Sequence, residues 1–362
     1  MNTPRHKKRA LVAMSGGVDS SVAAALLKKK GYDVIGITME IWPSKKDNFG
    51  GCCSATAVND AKSVADKLGI KHYVLNFREA FKEAVINNFI SEYKNGRTPN
   101  PCVRCNQFLK FDHLLKKADE LGAEILATGH YASVKKGENG LYSLHKSADK
   151  HKDQSYALYV MSQEALKRTI FPLEDITKTE TREIAKKLGL SVADKKDSQE
   201  ICFIEDNNYG KFLSENVPET IMPGRIFDME SNVVGMHRGI AFYTVGQRKG
   251  IGVQFSKPFY VVHIDKETNS IVIGDEKDTL GKKLEAEGII WTSISAPLKA
   301  IKATAKIRYN SEEAECRIIP KGLDKAEVSF KKPVKAITPG QSVVFYKDNI
   351  VLGGGIISCQ IR

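Results

Sequence analysis

Hydrophobic and polar positions follow two different patterns along the chain, and the change falls near residue 207. The first pattern predicts strands at 10–14, 33–39, 72–76 and 124–128, alternating with helices at 21–30, 54–68, 77–94 and 106–121. Repeated strand–helix units favour a parallel sheet with right-handed crossovers. Ligands of such sheets lie beyond the carboxyl ends of the strands, where the segments 15–20 and 128–131 both fall.

The second pattern begins after a last short helix at 209–216. Short β-branched runs then predict strands at 260–264, 270–273, 288–291, 303–309, 315–319, 326–330, 342–346 and 351–352. Strands so closely spaced are typical of small β-domains and barrels, and the polar stretch 275–283 suggests a boundary between two of them. We therefore predict an α/β catalytic domain at 1–207, a β-rich domain at 208–280 and a β-barrel at 281–362.

Length and charge indicate a protein of more than one domain with a basic surface. A chain of 362 residues is too long for one ordinary domain. Its net charge of +12 would attract phosphate polymers, although a generically basic protein explains the charge equally well. No apolar run reaches about 18 residues, and the basic segment 1–9 lacks the apolar core of a signal peptide. We expect a cytoplasmic protein that does not enter the membrane.

The hexapeptide Ser-Gly-Gly-Val-Asp-Ser at 15–20 lies between the first predicted strand and the first predicted helix. Gly16 and Gly17 lack Cβ atoms, so backbone N–H groups can approach a phosphate closely. The helix N-terminus adds unpaired N–H groups, and Asp19 can accept hydrogen bonds or help to hold Mg²⁺. The lysine of a Walker A loop is absent. We predict an anion-binding loop; the alternative is an ordinary turn that caps a helix.

Seven cysteines, an odd number, argue against a disulfide scaffold in a chain without an export signal. Cys105 lies at the start of a predicted helix, where the dipole favours the thiolate, and Arg104 adds positive charge. Cys202 follows two lysines in a turn. Both thiols therefore have local reasons to be reactive. Four others are predicted to pack in the protein rather than react: Cys52, Cys53, Cys316 and Cys359.

The hexapeptide resembles the PP-loop of the ATP pyrophosphatases, which cleave ATP between the α- and β-phosphates. Over nearly its whole length the chain resembles the tRNA-specific 2-thiouridylase family, whose further signatures occur here in the family's order. They are Asn-Pro-…-Cys-Asn at 100–106, Thr-Gly-His-Tyr at 128–131, Lys-Asp-Gln-Ser-Tyr at 152–156, Asp-Ser-x-x-Ile-Cys-Phe-Ile at 197–204, Gly-Gln-Arg-Lys-Gly at 246–250 and Pro-Gly-Gln…Gly-Gly-Gly at 339–356.

This resemblance implies a parallel-sheet PP-loop domain of the adenine nucleotide α-hydrolase type, followed by two small β-rich domains. It implies a sulfurtransferase that adenylates the C2 oxygen of the wobble uridine with ATP and Mg²⁺ and replaces it with sulfur. Cys202 would carry the sulfur as a persulfide, and Cys105 would release hydrosulfide from it or close a Cys105–Cys202 disulfide. The implied partners are tRNA and a sulfur donor, either a sulfur-relay protein or a cysteine desulfurase.

The resemblance also carries roles to individual positions, with Asp19 added to the two catalytic thiols. The ATP-binding positions are Ala13, Met14, Ser15, Gly16, Gly17, Val18, Asp19, Ser20, Met39 and Gly129. The tRNA-binding positions are Asn100, Pro101 and Cys102 for the target base, and Lys152, Asp153, Gln154, Arg308 and Tyr309. Met39 serves equally well as core filler, and 308–309 alone would suggest only a strand with alternating faces. His130 is more often structural than a general base, and 247–249 is either a phosphate contact or a solvated turn.

One departure from the family concerns Cys102, where many members have an acidic residue. It creates a C-x-x-C pair with Cys105, and with Cys202 nearby the three thiols would suit an iron–sulfur cluster with one open iron. A zinc site would need a fourth ligand that the sequence does not supply. Persulfide chemistry is favoured over a cluster because the thiols lie at reactive positions.

Two other function classes stay open at this point. A small-molecule PP-loop ligase would explain the hexapeptide, but not Cys105, Cys202 or the basic charge. A non-enzymatic RNA-binding protein would explain the charge, but not an intact phosphate loop.

Overall fold

A computed structural model describes residues 7–42, 55–197, 201–204, 208–218, 221–253 and 257–361. Cys52 and Cys53, predicted to pack, lie outside the described residues. The chain divides into two units. Unit 1 comprises Met1–Val85, Cys102–Asn207 and Asn349–Val351, and unit 2 comprises Ile86–Pro101, Asn208–Asp348 and Leu352–Arg362.

Unit 1 is built on a parallel sheet. The strands up to residue 170 are β1 (Arg9–Ala13), β2 (Asp33–Glu40), β3 (Lys71–Asn76), β4 (Ile125–Ala127), β5 (Ala132–Lys136), β6 (Tyr142–Lys146) and β7 (Thr169–Ile170). Among the described residues, five of them form the sheet in the order β3-β2-β1-β4-β7. The remaining two, β5 and β6, form an antiparallel hairpin that also pairs with Ile350 and Val351.

The helices of the chain are, in order, α1 (Val18–Lys29), α2 (Ala55–Leu68), α3 (Arg78–Phe81), α4 (Asn87–Lys94), α5 (Pro101–Arg104), α6 (Leu114–Glu120), α7 (Gln163–Arg168), α8 (Lys178–Lys187) and α9 (Tyr209–Asn216). Lys82–Ile86 and Cys105–His113 are π-helical, and the part of the chain that the structure describes contains three short 3₁₀ turns, Ser155–Leu158, Ile240–Phe242 and Glu276–Thr279. Of the described helices, none is long and apolar enough to cross a membrane.

The core of unit 1 follows from the apolar periodicity of its elements. Ala10 and Val12 project from β1 into a buried cluster, where they meet Val22 and Leu27 of α1 and Ala185 of α8. The helix α8 begins with a capping box, in which the Thr177 side chain accepts from the Glu180 N–H and Glu180 accepts from the Thr177 N–H. The buried cluster, which includes residues of both helices, holds α8 against α1.

The sheet order brings the two predicted loops together. The strands β1 and β4 are parallel neighbours, with Ala10 opposite Ile125. The residues that follow them, 14–17 and 128–131, therefore lie side by side at the carboxyl edge of the sheet, and this prediction is confirmed. The helix predicted at 106–121 begins earlier, at Pro101, because proline suits the first position of a helix.

Unit 2 is rich in β structure. Its strands are β8 (Gly224–Phe227), β9 (Val233–His237), β10 (Tyr260–Asp265), β11 (Ser270–Gly274), β12 (Leu280–Ile290), β13 (Ile301–Lys306), β14 (Ala314–Pro320), β15 (Lys325–Lys335), β16 (Ser342–Lys347) and β17 (Ile350–Ile361). Within the described residues, four strands form a sheet in the order β10-β11-β8-β9. Six more follow the order β12-β15-β14-β13-β16-β17, and pairing of β12 with β17 closes them into the predicted barrel.

The two strands that close the barrel are longer than predicted. The sequence predicts only 288–291 and 351–352, but β12 has 11 residues and β17 has 12. The glycine run of β17 has a steric reason: a Cβ on Gly353 would lie 2.1 Å from the Ile290 carbonyl oxygen. Glycine therefore allows the backbones to approach at the seam, although it disguises the strand in the sequence.

We expect Gly353→Ala to lower the free energy of unfolding by about 3 kcal/mol, because the new methyl group overlaps the backbone of β12. Urea unfolding of the full chain measures this. The matched control is Gly322→Ala: Gly322 also has a positive φ, of 84°, but has open space around it, so only the roughly 1 kcal/mol of left-handed backbone is lost. Equal destabilisation of the two variants would contradict a steric seam.

Candidate active site

The loop between β1 and α1 requires glycine at Gly16 for two independent reasons. Its φ is +67°, a conformation that residues with a Cβ rarely adopt. A Cβ there would also lie 2.1 Å from the carbonyl oxygen of Ala57 in α2. The loop is therefore pressed against the neighbouring helix in a shape that only glycine allows.

The start of α1 is arranged as an anion site. Gly17 is the N-cap residue, and no side chain caps the helix. The first-turn N–H groups have no acceptor within the helix and can bind a phosphate. Serine side chains brace the loop from within: Ser20 Oγ accepts from the Ser15 N–H at 3.1 Å, and Ser21 Oγ donates to the Gly17 carbonyl at 2.8 Å. This geometry favours an anion loop over a merely capped turn.

The Thr-Gly-His-Tyr segment after β4 packs on the same helical turn. A Cβ on Gly129 would lie 2.6 Å from the Ser20 nitrogen, so the backbones touch. His130 Nδ1 lies 2.7 Å from Thr128 Oγ1, and burial, with a smaller contribution from Lys110, lowers the pKa of His130 well below its usual 6.5. A neutral, half-buried imidazole of this kind fits the structural role that sequence favours.

Asp19 is the carboxylate of the loop, and it is fully engaged. Lys178, at the start of α8, donates to both of its oxygens at 2.7 and 2.8 Å. The Tyr131 hydroxyl donates to it at 2.9 Å. Burial and the nearby Asp19 carboxylate raise the pKa of Tyr131, so its hydroxyl stays protonated as a donor. The segments that follow β1 and β4 are thus joined through one carboxylate.

Asp197 opens the Asp-Ser-x-x-Ile-Cys-Phe-Ile signature and shares the ammonium of Lys178, which lies 2.8 Å from its Oδ1. Arg182 and Lys152 also donate to Asp197, at 2.9 and 2.8 Å. Burial alone would raise the pKa of Asp197, but the hydrogen bonds from Lys152 and Lys178 outweigh it and lower the pKa to about 2. Three cations therefore surround Asp197, and one of them joins it to Asp19.

Lys195 makes a second connection between the same two segments. Its Nζ donates to the Gly16 carbonyl at 2.9 Å and to Asp60 of α2 at 2.6 Å. Two residues upstream of Cys202 are therefore attached to the phosphate loop: Lys195 at the Gly16 backbone and Asp197, through Lys178, at Asp19.

The segments of the two predicted catalytic thiols contact the same stretch of helix in unit 1. Arg104, beside Cys105, donates to the Ala84 carbonyl at 3.4 Å and lies over the Phe108 ring. Phe203, beside Cys202, packs edge-on against Phe81 with ring centroids 5.6 Å apart. Residues three apart on a helix are neighbours on its surface. Residues adjacent to the two thiols thus contact the same short stretch, 81–84.

Among the cysteines in the described part of the chain, none is joined to another by a disulfide. The disulfide implied between Cys105 and Cys202 is therefore not supported as a resident bond. Cys316 is buried in β14, where burial raises its pKa to about 12, so it packs as predicted. Cys359 is exposed in β17, and the prediction that it packs is wrong: its position on the barrel strand faces outward.

The described residues do not present a metal centre. They contain no group of three or more His, Cys, Asp or Glu side chains close enough to hold a metal ion, so Cys102, Cys105 and Cys202 are not assembled as cluster ligands. For Mg²⁺, the chemistry of Asp19 is suitable, but Lys178 and Tyr131 already use its oxygens.

The remaining predicted nucleotide positions line up along the strand ends. Ala13 ends β1, Met39 is the penultimate residue of β2, and Val18 is a buried residue at the start of α1. Met14 is buried, its N–H donates to the Ile37 carbonyl, and its sulfur packs where a Cβ on Gly36 would lie. Their contact with ATP stays a prediction.

The Lys-Asp-Gln-Ser-Tyr segment forms hydrogen bonds with other parts of the protein. Lys152 binds Asp197, and Asp153 Oδ1 accepts from the backbone N–H groups of Ser147 and Ser155. The Gln154 Oε1 accepts from the Tyr131 N–H at 3.0 Å. These contacts explain the segment as scaffolding of the loop after β4, and its contact with tRNA stays a prediction.

The sequence predicts a strand over 303–309. In the structure β13 ends at Lys306, and Arg308 and Tyr309 follow it in a turn. The Arg308 guanidinium donates to the carbonyls of Val245 and Ala336 and to the Thr338 hydroxyl. Gly246 adjoins it, because a Cβ there would lie 3.3 Å from the guanidinium. Arg308 therefore connects two β segments of unit 2, while its role toward tRNA stays a prediction.

The stretch before Asn100 is hydrogen-bonded to Pro339 and Gln341 within unit 2. The Thr98 N–H donates to the Pro339 carbonyl at 2.9 Å, and Gln341 Nε2 donates to the Thr98 and Pro99 carbonyls at 3.0 and 3.2 Å. The Pro-Gly-Gln signature is thereby explained as the seat of the loop that leads to the predicted target-base residues Asn100, Pro101 and Cys102.

Sequence reasoning missed three residues of the site. Lys178 and Arg182 carry the signal of two cations four apart at a capped helix start, but their partners are distant in sequence. Lys195 was noted only as charge near a thiol. Only the fold reveals that Lys178 and Lys195 contact the phosphate loop and that Arg182 contacts Asp197.

Comparison with known proteins agrees with this architecture. Residues 8–206 match a family model described as the tRNA methyl transferase HUP domain, 210–275 a tRNA methyl transferase PRC-barrel domain, and 281–357 an aminomethyltransferase beta-barrel domain. The parallel sheet, its loop and the two β-rich parts thus define a HUP-domain enzyme with appended barrels.

Full-length relatives narrow the class. The chain is 52% identical to the tRNA-specific 2-thiouridylase MnmA of Acetivibrio thermocellus over 97% of this chain and 99% of the relative. It is also 52% identical to that of Clostridium beijerinckii, over 98% and 100%. The chain belongs to the tRNA-specific 2-thiouridylase family. This membership decides against a small-molecule ligase and against a non-enzymatic RNA-binding protein.

The three cations around Asp197 determine how its contribution to stability depends on pH. Its pKa lies below the ordinary 3.8, so it stabilises the fold above about pH 4 and loses that contribution as the pH falls towards 2. We expect Asp197→Asn to cost about 2 kcal/mol of the free energy of unfolding at pH 7, measured by urea unfolding, and progressively less on acidification.

The control for this experiment is Asp194→Asn, because the Asp194 side chain is 83% exposed in its ion pair with Lys186. Such exposed pairs contribute little, and we expect almost no change at any pH. A cost for Asp197→Asn that is the same at pH 7 and at pH 3 would contradict the assignment of charge to Asp197.

Proposed function

We propose that this protein adenylates the C2 oxygen of the wobble uridine in tRNA with ATP and replaces that oxygen with sulfur carried by Cys202. The product is 2-thiouridine. Membership of the 2-thiouridylase family supports the overall reaction, and the site described above supports the division of labour within it.

One observation carries the proposal. The ammonium of Lys178 contacts Asp19 of the phosphate loop and Asp197 of the Cys202 segment at the same time. The phosphate loop and a residue five positions before Cys202 are therefore joined in one charge network of unit 1. A protein that only bound RNA, or that only hydrolysed ATP, would have no use for that connection.

Adenylation is the first step. Uracil O2 is a poor leaving group, so it attacks the α-phosphorus of ATP, the bond between the α- and β-phosphates breaks, and pyrophosphate leaves. Backbone N–H groups at the start of α1 stabilise the charge on the departing pyrophosphate. Gly16 and Gly129, which lack side chains, let α2 and the loop after β4 pack closely against this part of the chain. Mg²⁺ accompanies the ATP phosphates in this proposal.

Sulfur transfer is the second step. The terminal sulfur of a Cys202 persulfide attacks C2, the C2–sulfur bond forms, and AMP leaves with the oxygen. The Cys105 thiolate then attacks Cys202 Sγ, the bond from Sγ to the transferred sulfur breaks, and its electron pair stays with the sulfur on C2. In the other order, Cys105 first releases hydrosulfide, which attacks C2. Both orders end in a transient Cys105–Cys202 disulfide, which a dithiol must reduce.

The partners follow from this chemistry. The persulfide needs a donor of sulfane sulfur, either a sulfur-relay protein or a cysteine desulfurase. The substrate is tRNA, and the net charge of +12 assists its approach. Asn100, Pro101 and Cys102 are proposed to meet the target base. The loop that leads to them is held by hydrogen bonds from Thr98 to Pro339 and from Gln341 to the Thr98 and Pro99 carbonyls.

We expect Cys202→Ser to abolish formation of 2-thiouridine while ATP is still converted to AMP and pyrophosphate in the presence of unmodified tRNA. The reason is that Cys202 enters only after adenylation. Mass analysis of the nucleosides and chromatography of the nucleotides report the two steps separately.

The control is Cys359→Ser, which removes an exposed thiol of the barrel and should leave both products unchanged. Retained thiolation in Cys202→Ser would refute the persulfide role. Release of ADP instead of AMP would refute adenylation.

A further inference from the structure

We propose that Lys195 is a positioning residue that makes sulfur delivery from Cys202 depend on the state of the phosphate loop. This inference rests on the proposed function, because it concerns the coupling of its two steps. No motif of the sequence points to Lys195 in this role; the contacts of its ammonium do.

Lys195 is held by two partners of different kinds. Its Nζ donates to the Gly16 carbonyl at 2.9 Å and to the Asp60 carboxylate at 2.6 Å. About a third of each side chain of the Lys195–Asp60 pair is exposed, so an ordinary surface pair would be expected there. The bond to Gly16 makes it different, because a charged donor fixes the peptide unit at the turn of the anion loop.

Cys202 is close in sequence to residues that the structure holds in place on both sides of it. Asp197 is fixed through Lys178, and five residues span at most about 17 Å when fully extended. On the other side of Cys202, Phe203 is 2% exposed and packs against Phe81 and Trp42. Cys202 therefore lies within about 17 Å of Asp197, next to a residue that is anchored among aromatic side chains.

This arrangement gives Lys195 a function beyond stability. A phosphate bound by the loop N–H groups orders the peptide units around Gly16, and Lys195 passes that order to the segment that carries Cys202. Without the ammonium, the loop can still support adenylation, but the sulfur is no longer held in register with the activated base. Water then hydrolyses the adenylated uridine, and AMP is released without thiolation.

A direct role for Lys195 as a phosphate ligand is the competing explanation. Its loss would then weaken ATP binding and slow pyrophosphate release, and thiolation would fall in proportion. The ratio of AMP released to 2-thiouridine formed separates the two explanations, because only a positioning role changes it.

The test compares Lys195→Met with Lys196→Met, which removes the exposed lysine next to it. Full-length proteins are incubated with ATP, unmodified tRNA, a cysteine desulfurase and L-cysteine, and both products are measured in the same reaction. We expect Lys195→Met to raise the AMP to 2-thiouridine ratio about tenfold, as expected for the loss of hydrogen bonds to a charged group. The KM for ATP should change less than about twofold, and Lys196→Met should match the unaltered chain.

Two further variants keep the test decisive. Lys195→Arg retains a cation and should restore much of the coupling, and Asp60→Asn removes one partner and should raise the ratio by a smaller factor. An unchanged ratio in a folded Lys195→Met protein, or a higher KM for ATP with a proportional loss of both products, would overturn the proposal. If the unaltered chain makes no 2-thiouridine, the proposed function itself fails.

Discussion

The whole site depends on two places where a Cβ atom is not allowed. At Gly16 the loop backbone touches α2, and at Gly129 the loop after β4 touches the first turn of α1. These contacts press three elements together around the N-terminus of α1, whose first-turn N–H groups have no acceptor within the helix. A methyl group at either position would separate the elements and, with them, the groups that they carry.

Charge then connects what steric contact has assembled. Asp19 and Asp197 belong to loops far apart in sequence, and either carboxylate would be costly to hold half-buried without a cation. Lys178 serves both, while Lys152 and Arg182 complete the shell of Asp197. The arrangement stabilises the fold and also gives the segment of Cys202 a definite place relative to the phosphate loop.

Features with a local signature were predictable from the sequence, and those made by distant partners were not. The anion loop, the parallel sheet and the barrel follow from glycine spacing and apolar periodicity. The bonds of Lys178 to Asp19, and of Lys195 to Gly16, join residues more than a hundred positions apart, which no local pattern encodes. The strand β17 was mostly missed because its glycines have low strand propensity, although closure of the barrel needs them.

The long strand β17 has a consequence for how the protein is made. Its first residues, Ile350 and Val351, pair with β6 in unit 1, and the rest closes the barrel of unit 2. Neither unit has all of its strands until this segment has left the ribosome. The growing polypeptide therefore carries unpaired strand edges through most of its translation, and we expect nascent chains halted before residue 350 to be held by chaperones.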